Sequence, residues 1–64
     1  MQEIIKQIAK RIRELEEDAQ HWSNKATEAE DEKDATTYET YTYANQQTAS
    51  ELNELLIDII LHNN

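Results

Sequence analysis

Apolar or small side chains recur along the first half of the chain at alternating spacings of three and four: Met1, Ile5, Ile8, Ile12, Leu15, Ala19, Trp22, Ala26, Ala29. With Ile5, Ile12, Ala19 and Ala26 written as a positions, Ile8, Leu15, Trp22 and Ala29 fall at d, the seam of a helix that lies along another helix. Carried onward, the same register would put Lys33, Thr36, Thr40, Tyr43, Gln47, Ser50, Glu54, Ile57 and Leu61 on the seam, only three of the nine apolar, so it does not continue. A second seam, Tyr38, Tyr41, Asn45, Thr48, Leu52, Leu55, Ile59 and His62, is flanked by Ala44, Ala49, Leu56 and Ile60 and predicts a second helix. The expectation is one all-α domain over residues 1–64, an antiparallel, coiled-coil-like two-helix hairpin: helix 1 about 2–33, turn about 33–36, helix 2 about 37–62.

Local signals agree with a break there. Thr36 and Glu39 have the Thr-x-x-Glu spacing of a capping box, and Asp34 is an alternative N-cap. A fold-back at this point sets Ala29 against Tyr41, Ala26 against Ala44 and Asn45, and Trp22 against Thr48, with Leu15, Ile12 and Ile8 against Leu55, Ile59 and the chain end. Small faces large near the turn, as an interdigitated core requires. One long helix with a stuttered seam near residue 34 is the alternative. It would be about 95 Å long against about 45 Å for the hairpin, at ~1.5 Å per residue.

Composition narrows the class. The chain has no glycine and no proline, so strand hairpins and tight turns lack their usual residues and helix is the class that fits. It has no cysteine, which removes disulfides and thiolate metal sites as sources of stability. A 64-residue chain alone buries only ~60% of the surface its unfolded form exposes. Ile4, Ile57, Ile60 and Leu61 are apolar yet lie beside or outside the seams, at the end away from the turn. One hairpin does not cover them, and a homodimer packed as a four-helix bundle would, with these four residues at its interface.

The formal net charge is −8. It disfavours general binding to nucleic acid or anionic membrane and favours a basic partner. Glu28, Glu30, Asp31, Glu32, Asp34 and Glu39 gather at the expected turn, with the aromatic Tyr43 nearby. These seven residues form the candidate partner-binding surface. A carboxylate array of this kind can engage the Lys and Arg side chains that otherwise hold phosphates. The function expected is that of a small acidic, non-catalytic inhibitor or regulator of the phage or mobile-element type, acting on a basic, nucleic-acid-handling host protein. A structural or assembly module, in which the acidic tip is simply solvated, is the alternative. No secretory signal opens the chain and no run is long enough to span a bilayer, so a cytoplasmic protein without a membrane partner is expected.

Four further constellations bear on function. Lys6, Lys10 and Arg13 form a basic stripe on the outer face of helix 1, and small helical hairpins such as the plasmid copy-number protein Rop, which pair into four-helix bundles and bind paired RNA loops, are similar in size and architecture. Lys10 with Glu14 and Arg13 with Glu17 are also ordinary i,i+4 pairs. Asp18 and His21 have carboxylate-x-x-histidine spacing but fall at g and c, outside the core, so no metal is expected. Ser23 and Ser50 lie in mid-helix without a nucleophile setting, and neither catalysis nor a cofactor is expected. Residues 49–56, Ala-Ser-Glu-Leu-Asn-Glu-Leu-Leu, resemble the signature helix of a family of small helical-hairpin aspartyl-phosphate phosphatases. Ala49 and Asn53 stand where that family's motif has serine and aspartate, so no activity carries over.

Overall fold

The chain reverses where a carboxylate can cap the helix that follows. In the computed structural model, which describes residues 2–62, α1 spans Gln2–Glu28 and α2 spans Glu32–His62. The amide of Lys33 donates to Asp31 Oδ1 at 2.9 Å and the amide of Ala35 donates to the Asp31 carbonyl at 3.0 Å. A side chain that accepts from the second helical amide while its own carbonyl accepts the first intrahelical bond is an N-cap. The turn therefore occupies residues 29–31, earlier than the expected 33–36; helix 1 stops at 28 instead of about 33 and helix 2 starts at 32 instead of about 37. Thr36 lies inside α2 and donates its hydroxyl to the Glu32 carbonyl at 3.0 Å, so the expected capping box is not formed. Aspartate caps better than threonine, and its charge suits the positive end of the helix dipole. Among the described residues none has positive φ, which is why the turn needs no glycine.

The seam of α1 is the expected one. From Ile5 to Ala29 every predicted a and d residue is buried or half-buried; Met1, at the head of that row, lies outside the described residues. The seam of α2 is rotated. Its less exposed residues are Ala35, Tyr38, Thr42, Asn45, Ala49, Leu52, Leu56 and Ile59, whereas the expected Tyr41, Thr48, Leu55 and His62 are exposed. Tyr38, Asn45, Leu52 and Ile59 belong to both rows. The turn's earlier position also changes the pairing, because Trp22 meets Tyr38 and Tyr41 instead of Thr48. Ile12 shares a groove with Ala49 and Asn53 instead of facing Ile59.

The result is a rod of 50 × 14 × 10 Å, a hairpin and not a single long helix. Its buried apolar core consists of Leu15, Ala19 and Ala49, at 4, 5 and 6% exposure. α2 enters with β-branched and aromatic residues of modest helix propensity. Its threonines 36, 37, 40, 42 and 48 each donate the hydroxyl to the carbonyl four residues earlier, at 2.9 to 3.1 Å, so these groups are satisfied within the helix. Thr27 of α1 does the same to Ser23.

Candidate interaction surfaces

Reversal at residues 29–31 gathers the acidic side chains at one end of the rod. Glu28 closes α1, Glu30 and Asp31 form the turn, and Glu32 and Asp34 occupy the first turn of α2; all are exposed. Their roles differ. Asp31 is committed to its cap, while Glu28 and Asp34 flank a groove of about 240 Å³ that Lys25, Ala29 and Tyr38 complete.

Glu39 and Tyr43, one helical turn apart, lie away from the turn on the other side of the hairpin. They line an open groove of about 330 Å³ with Ser23, Ala26, Thr27, Thr42 and Gln46. Tyr43 is the more exposed of the tyrosines in that part of α2, at 63% against 47% for Tyr41, and its hydroxyl accepts a 2.6 Å hydrogen bond from Gln47 Nε2. Two more grooves continue along this side, edged by Glu16, Gln20, Gln46, Ser50 and Asn53. This side is polar along most of its length. The seven candidate residues thus divide into a tip and a separate Glu39–Tyr43 patch.

An aromatic cluster that joins the two helices lies behind the tip. Trp22 stacks on Tyr38 with ring centroids 5.6 Å apart and meets Tyr41 edge-on at 5.1 Å. His21 packs edge-on against Trp22 at 5.2 Å, which gives this exposed histidine a packing contact. Lys25 Nζ lies 5.9 Å from the Trp22 ring centre and 5.8 Å from that of Tyr38, within cation–π range. Placing the turn at Asp31 from sequence would have revealed the cluster, since it brings residue 22 level with residues 38 and 41.

At the open end Ile4, Ile57, Ile60 and Leu61 are all exposed, and Leu55 joins them. They do not share one face. Ile4 and Leu55 both occupy g positions of the observed seams and share one flank of the hairpin. Ile57, Ile60 and Leu61 fall at b, e and f on the other flank and the outer side of α2. His62 ends the helix with Nδ1–H donating to the Asp58 carbonyl at 2.8 Å, the capping role its position suggests.

Lys6, Lys10 and Arg13 are exposed on the outer side of α1, with Glu3, Glu14 and Glu17 exposed among them. Asp18 and His21 are both exposed, and among the described residues no three His, Cys, Asp or Glu side chains gather as metal ligands. Among those residues no helix is long and apolar enough to cross a membrane. No family model, curated protein or solved structure matches the chain.

Proposed function

We propose that the chain is a non-catalytic interaction module: it pairs with a second copy into a four-helix bundle and presents its acidic tip to a basic protein surface, in the manner of a small inhibitor or regulator. One observation carries this reading, the division of the rod into an apolar open end and an acidic tip. Ile4, Leu55, Ile57, Ile60 and Leu61 are exposed at the first, and Glu28, Glu30, Asp31, Glu32 and Asp34 at the second. Two ends so different suit two different contacts.

Surface area supports the pairing. The accessible surface is 5112 Å² for a mass of 7.5 kDa, whereas a folded monomer of that mass exposes about 4,250 Å². The excess of roughly 850 Å² is close to the ~800 Å² that each partner contributes to a standard interface. Electrostatics supports the second contact, because carboxylates projecting from a narrow tip concentrate negative potential and attract a basic surface in a salt-dependent way.

The test is capture of a purified basic partner, first isolated from lysate at low salt, by the wild-type chain and by a Glu28→Lys, Glu30→Lys, Glu32→Lys variant. Asp31 is left intact because it caps α2. Capture should be lost in the variant and at high salt, with helicity unchanged by circular dichroism. Capture that survives both would sink the acidic-tip reading and leave a structural or assembly module in its place.

A further inference from the structure

We propose that the second copy docks on one particular flank of the hairpin, the row Ile4, Tyr41, Thr48 and Leu55, and that it runs antiparallel, so that the two acidic tips point in opposite directions. This inference rests on the pairing proposed above and adds the face and the orientation; of the open-end residues it uses Ile4 and Leu55 and leaves Ile57, Ile60 and Leu61 outside the interface.

The two flanks of the seam differ in what they would ask of an interface. One carries the grooves edged by Glu16, Ser23, Glu39, Gln46 and Asn53, polar groups whose desolvation opposes tight packing unless each finds a partner. The other carries the charged Arg11, Asp18, Lys25 and Asp34, but it also carries Ile4, Tyr41 and Leu55, each about half exposed at 50, 47 and 49%. Thr48 lies between Tyr41 and Leu55 at heptad spacing, exposed, with its hydroxyl already satisfied by the Ala44 carbonyl at 3.0 Å. On this flank both helices contribute large apolar side chains, as a four-helix bundle requires.

Charge selects the direction. Two tips at the same end would bring like carboxylates within the Debye length of about 10 Å at 0.1 M salt. Reversing one copy separates them by most of the 50 Å length of the rod. Reversal also sets α1 against α1 of the second copy. Arg11 and Asp18 are exposed on this flank of α1, one heptad apart, and the register with the two-fold axis level with their midpoint is the one in which each Arg11 faces Asp18 of the second copy and Asp18 faces Arg11 in return. Thr48 is level with the interval between them, next to the two-fold axis.

The chain has no cysteine, so single-cysteine variants report proximity without background. Thr48→Cys and Gln46→Cys are compared in the full chain under mild oxidation, with sedimentation equilibrium of the reduced proteins and circular dichroism to verify folding. Thr48→Cys should form a covalent dimer ~tenfold faster or more, since cysteines whose Cα atoms are more than about 7 Å apart cannot be bridged. Arg11→Asp should weaken the dimer, and Arg11→Asp with Asp18→Arg should restore it. A dimer in which Gln46→Cys cross-links as fast as or faster than Thr48→Cys overturns this face and leaves the pairing standing. A dimer that the double charge swap fails to restore overturns the antiparallel orientation. A reduced chain that sediments as a monomer at high concentration overturns the pairing itself, and this inference with it.

Discussion

Asp31 shows how one side chain sets the geometry of the whole molecule. Its carboxylate holds the Lys33 amide at 2.9 Å and so determines where α2 begins, which in turn determines that Trp22 meets Tyr38 and Tyr41. Thr36 sits inside α2, where its hydroxyl bonds back to Glu32. Asp31→Ala should therefore lower stability by about 1 kcal/mol, the usual value of a lost N-cap. Thr36→Ala should change it by less than about 0.5 kcal/mol, as for an ordinary exposed position. Urea melts of the two variants at one protein concentration make the comparison. Equal losses would return the cap to Thr36. Lys25 has the opposite standing: its cation–π contacts with Trp22 and Tyr38 join residues from two helices, and nothing in the local sequence announces them.

At the scale of the element, α1 and α2 differ in how well their patterns define a face. α1 has one apolar row with charged and polar residues on either side of it, and a single row leaves one way to bury it. α2 has its apolar residues on both sides of the shared row Tyr38, Asn45, Leu52 and Ile59. Either Tyr41 and Leu55 or Ala49 and Leu56 can complete a seam with that row, and periodicity alone does not choose. Packing against α1 chose the second pair: Ala49 is buried and Leu56 half-buried, while Leu55 is exposed. Under dilution to the monomer, Leu56→Ala should cost about 2 kcal/mol, toward the low end for a large-to-small change because the site is only half-buried. Leu55→Ala should cost less than about 1 kcal/mol there, and more only at concentrations where the proposed dimer would form. Reversal of that order would restore the first seam.

For the whole molecule, the small interior is the governing quantity. Leu15, Ala19 and Ala49 are a slight apolar core for a rod 50 Å long, and much of the remaining apolar surface lies at the open end. A fold completed by association gains stability by mass action, so the melting temperature should rise with protein concentration. Scanning calorimetry across a hundredfold range, about 2.7 kcal/mol of linkage at most, measures this. A melting temperature independent of concentration would mean that the hairpin stands alone. Raising the salt should weaken pairing modestly if Arg11 faces Asp18 of the second copy and the tips lie far apart, and strengthen it if like-charged tips lie side by side.

The sequence by itself determined the helical class and the buried face of α1, because the absence of glycine and proline leaves helices as the available elements and one clean heptad row has one way to pack; the choice between a hairpin and one long helix waited on the structure. It also marked the acidic tip and the apolar residues of the open end, which are matters of composition at a given place in the chain. Only the tertiary structure decided the turn at residues 29–31, the rotation of α2 about its axis and the Trp22, Tyr38, Tyr41 and Lys25 cluster. The physical reason is that several caps and two apolar rows are locally competent in α2. The choice among them depends on which arrangement fills the space against α1, a property of two helices together and not of either alone.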